Sequence, residues 1–270
     1  MKTRFSTKWL VLKSGVEKYL IKNFDIFVPS SAGNYKTLGY LTQLNINQVF
    51  PLLSKLLLSL KIKTKIVPVK KFIKNIDSKN DPQLLKKIFN KYQSDKSKTH
   101  NYHLIYGSLF KKKTEVKKVL EIGLGTNNEN VISNMGKYGK PGASIKAFKE
   151  FFSNANIYGA DIDKEILFKE DRINTFYVDQ TNIYTLNGLF KKIGKNFDLI
   201  IDDGLHASNA NINVILSSLK FVKKNGYLII EDIPFKAKHI WEVVSSILST
   251  KHKTTLVKTK QCFVFIIKKD

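Results

Sequence analysis

Arginine is almost missing from this chain, and cysteine nearly so. Of 46 basic residues only Arg4 and Arg172 are arginines, against 22 acids and a formal net charge of +24. Arginine supplies the planar fork that reads guanine and grips phosphate at two points, so a surface of lysine reads as compositional drift, not as a nucleic-acid reading head. A single cysteine, Cys262, excludes an internal disulfide framework and a zinc site built from several cysteines. It lies in an apolar run, reads as a buried side chain, and points to a reducing compartment. Long hydrophobic runs are lacking too. Residues 9–12 are too few for the apolar core of a secretory signal. Residues 49–60, interrupted by Pro51 and Lys55, fall short of the ~20 apolar residues that span a bilayer, and read as a core helix. A cytoplasmic protein without a transmembrane segment is expected.

What is present suffices for a full core: 270 residues, 43% hydrophobic and 25% charged, make one sizeable domain and a smaller one. In residues 1–80, strands are expected at 24–28 and 65–69 with a helix over about 41–60 between them. That is a small α/β accessory unit, with Pro68 at a sheet edge. Asp81-Pro82 marks a boundary, a helix follows over 83–92, and residues 81–270 form the main domain.

There the alternation of strand and helix predicts a doubly wound α/β sheet. Val119-Leu-Glu-Ile-Gly-Leu-Gly125 is a strand entering a glycine turn, and the third glycine of the dinucleotide fingerprint is absent. A helix over 144–152 leads to a strand ending at Asp161, farther on than the usual ~20 residues for a ribose-binding acid. A third strand ends in Asp179-Gln180. The fourth, beginning at Phe197, is a continuous apolar run ending in Asp202, Asp203, a glycine and His206, the form expected of a strand covered on both faces. After a helix over 211–222, the fifth strand ends in Glu231 and Asp232. A helix over 239–248 and a hairpin at 254–258 and 262–268 close the sheet in antiparallel fashion. No internal repeat is visible.

Ligands of such sheets sit beyond the carboxyl ends of the strands, where these acids fall. Asp203, Glu231 and Asp232 offer hard oxygen ligands suited to magnesium, and His206 brings an imidazole, the side chain most often used as a general base. Adjacent strand residues face opposite ways, so Asp202 and Asp203 are not expected to share a role. Clustered acids at strand ends also cap helices, and that alternative stands beside the metal reading. His100 and His103 are weaker candidates as base, and His239 and His252 weaker still.

The set Glu121-x-Gly123-x-Gly125, Asp161, Asp179-Gln180 and Asp202-Asp203-Gly-x-His206 resembles the class I S-adenosylmethionine-dependent methyltransferases. More narrowly it is similar to the metal-dependent sugar O-methyltransferases of the macrolide type, over about residues 88–235. The segment holding Tyr92, Asp95, Lys96, His100, Tyr102 and Tyr106 and the helix 143–152 share that likeness. The resemblance implies a Rossmann-like sheet and places Glu121, Gly123, Gly125, Asp161, Asp179, Gln180 and Asp202 on the S-adenosylmethionine side. It makes Asp203, Glu231 and Asp232 magnesium ligands, His206 the general base, and the Tyr92–Tyr106 segment an active-site wall. Leu205 stands where the family usually has serine, and Gln93 where it usually has glycine. The expected partner is a small-molecule or glycan acceptor, with room for a homo-oligomer. The rivals are a nucleic-acid methyltransferase, favoured by charge but opposed by the shortage of arginine, and a non-catalytic glycan-binding or scaffold protein with the same fold.

Overall fold

The computed structural model describes residues 15–30 and 33–270; Arg4 and the apolar run at 9–12 lie outside the described residues. The chain forms two compact units, Met1–Ile62 and Lys63–Asp270. The break thus falls upstream of the expected Asp81, because residues 66–68 join the main sheet as a strand.

In the first unit, helix α1 (Val16–Asn23) is followed by a 3-10 turn at Asp25–Phe27 and helix α2 (Tyr35–Ser59). Asn34 caps α2, its side chain accepting from Thr37 N at 2.9 Å. Residues 24–28, expected as a strand, hold the 3-10 turn instead; Asp25 bonds the next backbone amide, a local choice that competes with a ladder. The leucine-rich end of α2 was expected as a core helix, yet Leu52, Leu56, Leu58 and Leu60 are more than half exposed. Among the described residues no helix is long and apolar enough to cross a membrane.

The second unit is built on nine strands: β1 (Ile66–Pro68), β2 (Lys118–Ile122), β3 (Asn156–Asp161), β4 (Lys169–Glu170), β5 (Ile173–Tyr177), β6 (Phe197–Asp202), β7 (Val222–Ile233), β8 (His252–Lys258) and β9 (Phe263–Lys269). Their order is β1-β8-β9-β7-β6-β2-β3-β5-β4. β2, β3, β5, β6 and β7 run parallel; β9 is antiparallel to β7 and β8. β1 is an edge strand, where Pro68 can lack its N–H without breaking a ladder.

Helices α3 (Val69–Lys74), α4 (Pro82–Lys91), α5 (Tyr102–Ser108), α6 (Ala143–Phe151), α7 (Ile183–Ile193), α8 (Ser208–Ser218) and α9 (Lys238–Leu248) complete the unit. All six residues of β6 are buried, because helices cover both faces. The period of two assigns each strand residue to a face. Val119, Leu199, Ile201 and Ile229 pack with Phe89, Ile105 and Phe148 from α4, α5 and α6. Leu120, Ile200, Leu228 and Ile230 pack with Leu186, Val214 and Trp241 from α7, α8 and α9. That parity decides where each acid at the strand ends points.

Candidate active site

β3 and β5 lie to one side of β2, and β6 and β7 to the other, so the sheet reverses its winding between β2 and β6. Crevices at such switch points are where α/β sheets bind ligands. Two cavities open there. The larger, about 370 Å³, is lined by Gly123, Gly125, Asp161, Ile162, Asp179, Gln180 and Leu205 among others. The smaller, about 190 Å³, is lined by Asp95, Lys96, Ser144, His206 and Asp232 among others. They share Gly123, Gly125, Ser133 and Asp203.

On the larger side, the Asp161 carboxylate accepts from Leu124 N at 2.7 Å and Asp163 N at 2.9 Å, and so pins the glycine turn to the end of β3. Gly123 has φ +92, and a β-carbon there would lie 2.2 Å from the Asp203 carbonyl oxygen, so only glycine lets the turn pass the β6 loop. The Asp179 carboxylate accepts from Thr181 N and Oγ1 in a local turn. Gln180 donates to Asp202 and accepts from Leu205 N at 2.7 Å. Asp202 is wholly buried on the α8 face, accepts from Asn211 Nδ2 at 2.9 Å, and meets the cavity lining through Gln180 and Gly204 N. Burial raises its pKa despite these donors.

On the smaller side, Glu121, Asp203 and Glu231 fall on the opposite face by the same parity, the one covered by α4, α5 and α6. Lys96, from the loop after α4, is 1% exposed. Its Nζ lies 3.1 Å from Glu121 Oε1 and 2.6 Å from Asp203 Oδ2, and also contacts Glu231. Burial opposes its charge, but the three acids outweigh that and hold its pKa well above the lysine range. Asp203 is also penalised by burial, yet Lys96 and then His206 pull its pKa below the usual carboxylate value. Glu231 goes the other way, raised well above the ordinary range by burial and by the Asp203 charge. Tyr106 donates to Glu231, and Ser144 Oγ donates to Glu121 at 2.6 Å.

Parity alone would send Asp232 to the far face. A register shift between Ile230 and Ile233 and a φ of +51 at Asp232 turn it back, so Tyr102 Oη donates to it at 2.6 Å and His100 Nδ1 approaches to 3.3 Å. His206 likewise has a left-handed φ of +56. Such conformations in residues other than glycine carry strain and cluster at ligand sites. Asp203, His206 and Asp232 converge, their ligating atoms within 4.8 Å of one another; Glu231, expected with them, is turned inward to Lys96 and Tyr106. His206 Nδ1 is enclosed and has no hydrogen-bond partner among the described residues.

Some expected residues are not brought to the site. Tyr92 Oη donates to Glu150 at 2.9 Å on the helix surface, away from both cavities. Glu121 acts through Lys96 and Ser144, being fully buried itself. His103 is buried elsewhere, its pKa lowered to about 4 first by burial and then by Lys86. Sequence reasoning missed Ser144, Asn211 and the exposed Ile162. The signal for Ile162 was there, an apolar residue set between two aspartates just beyond a strand end. The departure at Gln93 has a backbone reading: its φ is +62, a conformation glycine adopts freely.

This order of strands, with an acid and a glycine turn at the end of β2, is a Rossmann-like fold of the kind methyltransferases share. No family model matches the chain. It resembles the macrolide and tetracenomycin sugar O-methyltransferases. It is 34% identical over 117 residues to mycinamicin VI 2''-O-methyltransferase of Micromonospora griseorubida, covering 43% of this chain and 27% of that protein. It is 34% identical over 122 residues to demethylmacrocin O-methyltransferase of Streptomyces fradiae, covering 45% and 28%. It is 27% identical over 144 residues to 8-demethyl-8-alpha-L-rhamnosyl tetracenomycin-C 2'-O-methyltransferase of Streptomyces olivaceus, covering 53% and 36%. The matched part spans about a third or less of these curated relatives. The fold superposes on the MycE methyltransferase from the mycinamycin biosynthetic pathway, solved in complex with Mg and SAH, with a TM-score of 0.57 and 22% identity over 71% of this chain and 55% of that one.

Proposed function

We propose that this chain is an S-adenosylmethionine- and Mg2+-dependent O-methyltransferase whose acceptor is a hydroxyl of a sugar or glycosylated compound. The observation that carries the reading is the pair of abutting cavities at the switch point. One side presents an acid and backbone amides, the other an imidazole among carboxylates, and Gly123, Gly125, Ser133 and Asp203 belong to both. The larger has the size of a small-molecule pocket. In it Asp161 would hold ribose hydroxyls, Asp179 and Gln180 would approach the adenine between Ile162 and Leu205, and Gly123 and Gly125 would bring backbone to the amino-acid portion.

The donor set suits a hard divalent cation. Glu121, Asp203 and Glu231 share the one Lys96 ammonium and Asp232 lies beside them, so the acids outnumber the cation, and burial with the Asp203 charge raises the Glu231 pKa. Asp203 and Asp232 would hold Mg2+, and Glu231 would join them on giving up Lys96. Bound there, Mg2+ supplies Lewis-acid stabilisation of the acceptor oxygen as its proton leaves. His206 accepts that proton while the oxygen takes the methyl group. Lys96 holds Asp203 and Glu231 in place, and Tyr102 holds Asp232, so the acids are oriented before substrate arrives.

Isothermal titration with S-adenosylmethionine and with Mg2+, separately and together, tests this. Saturable one-to-one cofactor binding is expected; no heat of binding with either would defeat the reading.

A further inference from the structure

Cys262, read from the sequence as a buried side chain, lies against the carboxylate cluster. Its Sγ is 3.3 Å from Asp232 Oδ1 and 3.1 Å from Tyr102 Oη. His100 Nδ1 approaches the same Asp232 oxygen, also at 3.3 Å. An imidazole from the loop before α5, a carboxylate from the end of β7 and a thiol beside the start of β9 thus converge, their ligating atoms all within 4.8 Å. His100 Nδ1 is enclosed yet makes no hydrogen bond among the described residues, and its ring is stacked on Tyr102 with centroids 4.9 Å apart.

Two of these separations match those a bound metal would set. With zinc bonds of ~2.0 Å to oxygen and nitrogen and ~2.3 Å to sulfur, a tetrahedral angle places O and N ligands about 3.3 Å apart and O and S ligands about 3.5 Å apart. The observed edges are 3.3 Å and 3.3 Å. A thiolate in the set moves the preference away from magnesium toward zinc and similar ions.

The geometry assigns His100, Asp232 and Cys262 to a second metal site, selective for thiophilic divalent ions such as Zn2+, that shares Asp232 with the hard-cation pair of Asp203 and Asp232. Loading it forms bonds to sulfur, nitrogen and oxygen and releases the Cys262 thiol proton to solvent. The Tyr102 hydroxyl either becomes the fourth ligand or yields its bond to Asp232. Zn2+ drawn to Asp232 Oδ1 pulls that carboxylate toward His100 and Cys262 and away from Asp203, so Zn2+ competes with Mg2+ and inhibits. Only that last consequence rests on the proposed function; the site does not.

The test is titration of the whole chain with Co2+, the spectroscopic stand-in for Zn2+. A thiolate-to-cobalt charge-transfer band should saturate at one equivalent, be bleached by Zn2+, and be absent in Cys262→Ser. His100→Ala, which keeps the thiol, should weaken Zn2+ binding by more than the roughly 10–100-fold that an outer-shell partner costs. No band in the wild-type chain, a band surviving in Cys262→Ser, or unchanged Zn2+ affinity in His100→Ala would overturn the site. If Cys262→Ser fails to fold, the wild-type band and the His100→Ala affinity decide. S-adenosylmethionine binding, followed in the same samples, separates failure of this site from failure of the proposed function.

Discussion

Lys96→Met removes the ammonium that two buried carboxylates, Glu121 and Glu231, share with the partly exposed Asp203. Breaking a buried ion cluster by deleting one partner costs about 3–5 kcal/mol, because the remaining charges keep their desolvation penalty. At about 2–4 °C per kcal/mol for a domain of this size, Tm should fall by roughly 6–20 °C near neutral pH. The pH dependence follows from the shifts. Asp203 is depressed, so its contribution is present above the ordinary aspartate value and lost as pH falls through its folded value. Lys96 is raised, so its contribution is complete below the ordinary lysine value and lost as pH rises through the higher folded one. Glu231, raised, works the other way and costs stability as pH rises above the ordinary glutamate value. The difference between wild type and Lys96→Met should therefore shrink in acid, where the orphaned carboxylates take up protons. Mg2+ should replace part of the lost charge: at a hundred times its Kd, binding to the folded state restores about 2.7 kcal/mol. Thermal melts across pH, with and without Mg2+, measure all three effects. A Lys96→Met protein as stable as wild type, or one destabilised equally at every pH, would refute the reasoning.

Asp161→Ala should weaken S-adenosylmethionine binding by about 1.5–3 kcal/mol, the size of a charge-assisted hydrogen bond, read by calorimetry; an unchanged Kd removes Asp161 from the site. Gly123→Ala should destabilise by at least the 1–3 kcal/mol or so of overpacking, since its β-carbon meets backbone at 2.2 Å, and equal denaturant midpoints would contradict that packing. The lysine surface should bind generic RNA only weakly at physiological salt, and sub-micromolar affinity with a steep salt slope would revive the nucleic-acid reading.

The main sheet was legible because its strands are continuous apolar runs with acids at their ends, and β6 is the plainest instance. The glycine turn and the opposed facing of Asp202 and Asp203 follow from the same local rules. Three features were not legible. The shift in β7 that turns Asp232 back depends on pairing with β9, which no local pattern encodes. Lys96 belongs to a polar loop whose composition alone could not place its ammonium among acids from β2, β6 and β7. The strand expected at residues 24–28 has strand composition, but its aspartate favours a turn. Strand ends report chemistry; which acids share a cation is set by contacts between distant segments.

The most direct test of the central claim is transfer of labelled methyl from S-adenosylmethionine to sugar glycosides by wild-type protein and by His206→Ala, each with and without a magnesium chelator. Wild type should transfer methyl and stop when the metal is chelated, while His206→Ala should keep its cofactor and metal affinity and lose roughly 10²–10⁴-fold in turnover. Wild-type turnover in His206→Ala, or a rate indifferent to chelation, would contradict metal-assisted transfer with His206 as the base.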